Sequence, residues 1–306
     1  MPPTLSIHGT RLLLDNQPFF LQGLSFFNAL YNPAFNQSSE SRIAWLKKFK
    51  ANGINTLRVW CQWDFIDRPF IDLKAENTLY DHQGGVRDDV MRRIFDLIDL
   101  LTAEGMLLEL TLYSHEKKPY YSPEILAKGA AAAARLLKPY RNLILQIWNE
   151  ESFVWQPCFE AIKAEDPARL VTSSPGVANV LGDDLQNSTL DLLTPHTVRK
   201  DAPRFWEIAP QQIAGLIEKF KKPVIDDEPA RNGTTRFGGI EGGTLPEQHI
   251  EQIRRVRAVG GYHIYHHDMF QLGYGHPSIP AHGIPDPDFD GFQRAVFDYL
   301  RDHQTW

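Results

Sequence analysis

The feature that most constrains the fold is an alternation of short apolar runs with amphipathic stretches along the 306-residue chain. Eight runs have the length and residue types of buried strands: 19–28, 55–63, 106–114, 143–150, 170–174, 190–196, 224–228 and 261–268. Helical spacing of apolar residues is found between and after them: 39–51, 86–104, 123–138, 159–165, 205–220, 246–259 and 289–302. Because parallel strands need crossover connections, this order predicts a parallel sheet made of strand–helix units.

Eight such units favour a closed (β/α)8 TIM barrel over an open doubly wound sheet. A dinucleotide-binding open sheet needs a glycine-rich turn after its first strand. The turn here is Phe26-Phe27-Asn28-Ala29, which has no glycine to let the backbone approach a diphosphate. Barrels of about 250 residues or more commonly form one domain. The chain is therefore expected to be a single catalytic domain over residues 1–306.

The first twenty residues predict a short N-terminal hairpin. Apolar residues flank Asp15-Asn16, a pair that is typical of tight turns. We expect this hairpin to cover the N-terminal mouth of the barrel.

Composition excludes several classes of protein. Apolar residues make up 42% and charged residues 23%, as in ordinary globular domains. The net charge of −6 predicts no binding to nucleic acid or to an anionic membrane. The start MPPTLSIHGT shows no signal peptide, so a cytoplasmic protein or a secreted one already trimmed is expected. Two cysteines, Cys61 and Cys158, are too few for a disulfide scaffold or a four-ligand zinc site, and we expect them not to pair.

Polar and aromatic residues at the ends of the predicted strands are the candidates for chemistry, because barrel enzymes react at the C-terminal ends of their strands. The candidates are Arg58, Trp60, Trp63, His115, Trp148, Asn149, Glu150, His196, Glu228 and Tyr265. Glu150 and Glu228 end strands four and seven, so the two carboxylates face each other across the mouth. A retaining glycosidase needs such a pair about 5–5.5 Å apart, one protonated and one ionised.

Two strings give this pattern a specific resemblance. IWNEE at strand four and PVIDDE at strand seven resemble the cellulase- and mannanase-like (β/α)8 enzymes of glycoside hydrolase clan A, in particular family 5. The strand-two string LRVW and the opening DNQPFFLQGLSFFN are also similar, so the resemblance covers essentially the whole chain.

The resemblance implies a role for each matching residue. Glu150 would be the acid/base, Glu228 the nucleophile, and Asn149 the partner of the sugar hydroxyl next to the reacting carbon. Arg58 would hydrogen-bond the nucleophile and keep it ionised. The implied activity is retaining hydrolysis of a β-linked oligo- or polysaccharide by double displacement. Carbohydrate is the expected partner, with no cofactor and no metal.

The sequence departs from the family pattern at the positions where aromatic side chains stack on the sugar rings of the substrate. His196 is present, but Thr197-Val198 follows it in place of the usual x-Tyr. Tyr265 matches the position of a strand-eight Trp, and His267 that of a second Trp. We expect Tyr265, Trp60, Trp63 and Trp148 to stack on sugar rings, with His115 and His196 either binding substrate or acting as polar lids.

Several assignments stay open from the sequence. Glu151 is the rival of Glu150. Asp226 or Asp227 rivals Glu228, with strand alternation placing Asp226 and Glu228 on one side and Asp227 on the other. Arg58 has Glu109 as an alternative partner in the barrel interior.

Two other functions also stay open. A metal-dependent barrel hydrolase would use His263, His266, His267 and Asp268 of strand eight. Such enzymes usually need His-x-His on strand one, which here ends in Phe26-Phe27-Asn28. A non-catalytic carbohydrate-binding barrel would be expected to lack one carboxylate, and neither is missing.

Overall fold

The computed structural model describes residues 3–64, 70–114, 122–199, 204–231, 243–270 and 280–305. A three-stranded N-terminal sheet contains β1 (Leu5–His8), β2 (Arg11–Leu14) and β3 (Gln17–Pro18). A seven-stranded parallel sheet contains β4 (Gln22–Ser25), β5 (Thr56–Trp60), β6 (Leu107–Ser114), β7 (Leu143–Asn149), β8 (Leu170–Thr172), β9 (Ile225–Asp226) and β10 (Tyr262–Tyr265). Its strand order is β8-β7-β6-β5-β4-β10-β9.

Helices follow the strands as the sequence predicts. They are α1 (Ser39–Ala51), α2 (Asp88–Ala103), α3 (Pro123–Leu137), α4 (Trp155–Glu165), α5 (Asp184–Thr189), α6 (Phe205–Phe220), α7 (Pro246–Ala258) and α8 (Gly291–Asp302). The face of α2 that packs on the sheet carries Val90, Ile94, Leu97 and Leu101, all buried and spaced three or four residues apart. In the described residues, no helix is both long and apolar enough to cross a membrane.

The segment 190–196 joins the two edge strands. Asp191 N donates to the carbonyl of Val171 in β8, at 3.1 Å, and Ile225 N of β9 donates to the carbonyl of Leu193, at 2.8 Å. Leu193 also forms a single parallel bridge with Val224. The sequence predicts a full sixth strand here, and the structure has this shorter pairing. The seven-stranded sheet with its flanking helices forms the predicted (β/α)8 fold.

The N-terminal hairpin covers the bottom of the barrel, as predicted. Asp15 and Asn16 have φ values of 50° and 64° and form the turn between β2 and β3. Leu12 N donates to the Tyr262 hydroxyl at 2.7 Å. Leu5, Leu12 and Leu21 are buried in one apolar cluster with residues from the parallel sheet: Leu107, Ile144, Ile225, Tyr262 and Ile264.

A polar layer lies above this cluster inside the barrel, centred on Gln146 of β7. Its carbonyl oxygen accepts from Thr111 at 2.6 Å and from Arg58 at 2.8 Å. Its amide nitrogen donates to Asp227 at 2.6 Å and to Ser174 at 2.8 Å. Side chains from opposite sides of the barrel are thus joined directly below the C-terminal mouth.

Candidate active site

Glu150 and Glu228 meet at the C-terminal mouth of the barrel. Glu150 directly follows β7, and Glu228 lies two residues beyond β9. Oxygen atoms of these two carboxylates and a ring nitrogen of His196 all lie within 4.8 Å of one another. Glu150 has a φ of 56°, in the left-handed region that non-glycine residues rarely adopt and that is common at functional sites.

Arg58 of β5 anchors one side of this cluster. Its Nη1 donates to Glu228 Oε2 and its Nη2 to Asn149 Oδ1, each at 2.8 Å. Its Nε lies 3.1 Å from Asp227 and 3.6 Å from Glu109. The sequence offers Glu228 and Glu109 as alternative partners of Arg58. Both lie beside it in the structure, and of the two it is Glu228 that accepts a hydrogen bond from Arg58.

The three acids of strand seven do not alternate as predicted. Asp226 accepts from Thr197 and from Gln252 of α7, at 2.8 Å each, and so faces away from the barrel interior. Asp227 faces Arg58 and the interior, and Glu228 also contacts Arg58. The predicted pairing of Asp226 with Glu228 is wrong because β9 ends at Asp226, after which the regular pleat no longer applies.

Glu151, the rival of Glu150, accepts hydrogen bonds from the backbone of its own loop. Its Oε1 is 2.8 Å from Ser152 N and 3.0 Å from Phe153 N. Glu150, and not Glu151, therefore stands opposite Glu228 in this structure.

His196 lies between the carboxylates. Its Nδ1 is 3.1 Å from Glu150 Oε1, and its Nε2 is 3.6 Å from Glu228 Oε2. The ring is buried. The sequence singles out His196 correctly as a residue of the mouth, without indicating that it contacts both acids.

Arg199 is a residue of the mouth that sequence reasoning missed. Its Nη2 is 2.7 Å from Glu150 Oε1 and its Nη1 is 3.0 Å from Glu228 Oε1, so one guanidinium bridges the two carboxylates. Arg199 lies three residues beyond His196 in a connecting segment. No strand or helix periodicity predicts where such a side chain points, although HTVR places a cation within reach of the mouth.

These neighbours set the ionisation of the two acids. Burial and the nearby charge of Glu228 raise the pKa of Glu150, but His196 and Arg199 outweigh them and lower it to about 2. Burial also raises the pKa of Glu228, while His196, His266, Arg58 and Arg199 hold it well below its usual range. Both carboxylates are therefore ionised while Arg199 bridges them.

Among the predicted aromatic platforms, only Trp60 lines the interior near Arg58. Its ring stacks on Phe27, with centroids 4.2 Å apart, and the Arg58 guanidinium carbon is 5.9 Å from the Trp60 ring. Trp63 is fully buried, donates to the Ile71 carbonyl and stacks on Phe70. A fully buried ring has no face for a sugar, so Trp63 is a core residue.

Trp148 and Tyr265 are also core residues and not platforms. Trp148 is fully buried against Tyr113, whose hydroxyl donates to a backbone carbonyl of α3. Tyr265 is fully buried and its hydroxyl donates to Gln293 of α8 at 2.9 Å. Tyr265, the last residue of β10, thus faces the helices, whereas His266, directly after the strand, has its Nε2 3.9 Å from Glu228.

Comparisons with known proteins identify the fold. No family model and no curated protein matches the chain. A solved structure described as a glycoside hydrolase superimposes with a TM-score of 0.71 at 15% identity, covering 98% of this chain and 73% of that one. A glycoside hydrolase family 5 protein from Bacteroides vulgatus has a TM-score of 0.66 at 16% identity, over 98% and 68%. A β-mannanase from the blue mussel Mytilus edulis has 0.62 at 16%, over 99% and 97%. The chain has a glycoside hydrolase family 5-like fold.

The strand-eight histidines of this family 5-like barrel do not converge on one point. His266 faces Glu228, whereas His267 Nε2 donates to the Ser25 carbonyl at 2.6 Å. Burial, with Arg257 and His249 nearby, holds the pKa of His263 well below its usual range. In the described ranges, the one group with metal-ligand spacing is Glu150, His196 and Glu228, where the Arg199 guanidinium would repel a cation. The predicted site residue His115 lies outside the described residues.

Proposed function

We propose that the protein is a retaining β-glycoside hydrolase that acts on a β-linked oligo- or polysaccharide. The observation that carries this proposal is the approach of the Glu150 and Glu228 carboxylates to within 4.8 Å at the mouth of the barrel. Retaining enzymes hold their carboxyl groups about 5–5.5 Å apart, whereas inverting enzymes separate them by about 6.5–9.5 Å to admit a water molecule. The short separation supports retention.

The two acids have different surroundings, which supports different roles. Glu228 is buried and hydrogen-bonded to Arg58, which favours the ionised form that a nucleophile needs. Glu150 is more exposed and follows the strand at the rim, where a leaving group departs to solvent. In the proposed reaction Glu228 attacks the anomeric carbon while Glu150 donates its proton to the glycosidic oxygen. Glu150 then takes a proton from water, which displaces Glu228 and releases the sugar with its original configuration.

Asn149 supports the positioning of the sugar. Its carbonyl oxygen accepts from Arg58, which fixes the orientation of the amide and leaves its N–H groups as donors. A donor held beside the nucleophile suits the hydroxyl next to the reacting carbon. His266 Nε2 lies 3.9 Å from Glu228, and the Trp60 ring lies beside the Arg58 guanidinium.

A panel of aryl β-glycosides tests the proposal. The glucoside, mannoside, galactoside, xyloside and N-acetylglucosaminide are incubated with the wild type, with Glu228→Gln and with the control Glu151→Gln, and phenol release is measured. A β-mannoside belongs in the panel because three of the similar structures are β-mannanases, from Mytilus edulis, Rhizomucor miehei and Eisenia fetida. Short β-linked oligosaccharides are added as substrates for an endo-acting enzyme.

We expect release from at least one substrate, its loss in Glu228→Gln and its retention in Glu151→Gln. Turnover by Glu228→Gln within tenfold of the wild type would refute the assignment of the nucleophile. Activity that survives in this variant but is lost on treatment with EDTA would favour the metal-dependent alternative.

A further inference from the structure

The Arg199 guanidinium occupies the gap in which the proposed reaction must take place. It donates to Glu150 Oε1 and to Glu228 Oε1, and Glu228 Oε2 is already held by Arg58. A sugar whose anomeric carbon meets Glu228 and whose glycosidic oxygen meets Glu150 has to lie between the same oxygens. Arg199 therefore has to leave this position when a substrate binds.

The main chain leading to Arg199 is fixed, so the side chain is the part that moves. The Thr197 hydroxyl donates to Asp226 at 2.8 Å. The backbone N–H of Val198 donates to the Gln212 side chain of α6 at 2.9 Å, so both residues before Arg199 are held in place. The side chain of Arg199 is 16% exposed at the mouth. Rotation about its side-chain bonds can keep the guanidinium beside an incoming sugar without unfolding the segment.

Arg199 differs from Arg58 and Arg231 in the acids with which it pairs. Arg58 is held by Asp227 and Glu109 in addition to Glu228, and Arg231 Nε lies 2.7 Å from Asp268. The acids within ion-pair distance of Arg199, in the described ranges, are the two proposed reacting carboxylates.

During the proposed reaction, both ion-pair partners of Arg199 lose their negative charge. Glu150 has to take up a proton to act as the acid, and Glu228 becomes a neutral ester in the glycosyl-enzyme. The guanidinium would then remain in a partly buried cleft without its compensating charges, which is unfavourable. An anion on the substrate would replace them, and a carboxylate matches the planar guanidinium with two parallel hydrogen bonds.

We propose that Arg199 binds a carboxylate of the substrate, so that the enzyme cleaves glycosides in which a sugar beside the scissile bond is a uronic acid. This inference rests on the proposed glycosidase function. It assigns Arg199 as a specificity-determining residue that exchanges the two catalytic carboxylates for the carboxylate of the sugar.

Matched substrates that differ only at C6 test the inference. Aryl β-glucuronide, β-galacturonide and β-mannuronide are each compared with the neutral glucoside, galactoside and mannoside. These pairs test whether the uronic acid is the sugar that becomes bonded to Glu228. Disaccharides with a uronic acid or its neutral counterpart as the leaving sugar test the other side of the bond. The ratio of kcat/KM for the acidic and neutral members is measured for each pair.

The wild type, Arg199→Gln, Arg199→Lys and the control Arg204→Gln are compared, since the Arg204 side chain is 65% exposed and contacts Glu207. We expect the wild type to prefer the acidic member of one pair by about 100-fold or more, as for sites built around a polar substrate group. Arg199→Gln should reduce this ratio to within about threefold of unity through loss on the acidic substrate. Arg199→Lys should keep part of the preference, and Arg204→Gln all of it.

Binding to the inactive Glu228→Gln variant, measured by calorimetry with each free uronic acid and its neutral sugar, separates the possible failures. Neutral glycosides cleaved as fast as their acidic partners, with a ratio that Arg199→Gln leaves unchanged, would overturn the carboxylate site and leave the glycosidase proposal standing. No cleavage of any substrate by the wild type, with no binding of any sugar to the variant, would overturn both.

Discussion

Arg58 and Glu228 are joined by a 2.8 Å hydrogen bond between Nη1 and Oε2, from β5 to the segment that follows β9. Arg58 is fully buried and Glu228 nearly so. The same guanidinium lies beside Asp227 and Glu109, so one cation faces three carboxyl groups. Burial and the charge of Asp227 raise the pKa of Glu109 well above its usual value, and burial also raises the pKa of Asp227.

Replacing Arg58 with methionine should destabilise the protein strongly. It leaves Asp227 and Glu228 buried without their cation, and breaking a buried pair in this way costs about 3–5 kcal/mol. We expect urea unfolding to show a loss of this size. Arg135→Met is the matched control, because Arg135 pairs with Glu165 on the surface, where an ion pair contributes little to stability. Equal losses in the two variants would contradict the structural role of Arg58.

Hydrolysis should proceed with retention of configuration. Following the reaction of an active β-glycoside by proton NMR, we expect the β-anomer of the product to appear first and the α-anomer only later by mutarotation. The separation of the Glu150 and Glu228 carboxylates leaves no room for a water molecule behind the sugar. Initial formation of the α-anomer would show that a water molecule, and not Glu228, attacks the sugar.

Removing the carboxyl group of Glu150 should make the rate depend on the leaving group. General acid catalysis contributes about 10²–10⁴-fold, and it matters most for poor leaving groups. Glu150→Ala should therefore lose about that factor on an alkyl glycoside but much less on a dinitrophenyl glycoside. Azide should restore part of the rate by taking the place of the base. Glu151→Ala, as the control, should keep the wild-type dependence on leaving group, and an equal loss on both substrates in Glu150→Ala would exclude Glu150 as the acid.

Arg199 should control the pH dependence of the free enzyme. Its charge, together with His196, lowers the pKa of Glu150 to about 2 although burial and Glu228 act in the opposite direction. Arg199→Gln removes this charge, so the pKa of Glu150 should rise and the alkaline limb of kcat/KM should move to higher pH. A pH–rate profile on a neutral glycoside measures this shift. An unchanged alkaline limb would mean that Arg199 does not contact Glu150 in solution.

Much of the fold follows from local sequence signals. The helices at 39–51 and 205–220 have the predicted bounds, because apolar spacing and the residues that end them agree. In the first turn of α1, the Ser38 side chain accepts from Ser41 N and caps the helix. Strand ends are less predictable than helix ends. β9 stops at Asp226, which still pairs with His263 of β10, while its carboxylate accepts from Thr197 and Gln252.

The candidate site was predictable where a residue lies at a strand end, and less so elsewhere. Arg58, Asn149, Glu150, His196 and Glu228 meet in the structure because parallel strands bring their C-terminal ends together. Tyr265 matches a family position, but in the structure it contacts Gln293 of α8, and His266, directly after β10, faces Glu228. Arg199 lies in a connecting segment, whose backbone has no repeating geometry from which a side-chain direction follows.

Asp226 should make the protein less stable as the pH rises toward neutrality. Burial raises the pKa of Asp226 to about 7 despite its hydrogen bonds from Thr197 and Gln252, whereas in the unfolded chain the carboxyl has an ordinary pKa near 4. The folded state thus binds a proton between these values that the unfolded state has lost. The stabilisation from Asp226 is complete below about pH 4 and decreases as the pH rises to about 7.

Asp226→Asn removes this titration and retains the shape of the side chain. Its amide can donate to the Thr197 hydroxyl while its carbonyl accepts from Gln252. We therefore expect the free energy of unfolding of the variant, relative to the wild type, to increase by on the order of 2–4 kcal/mol between pH 4 and pH 8. Denaturant unfolding of both proteins across this range measures the difference. A difference that is independent of pH, or that favours the wild type at high pH, would show that Asp226 is ionised throughout and that its partners outweigh its burial.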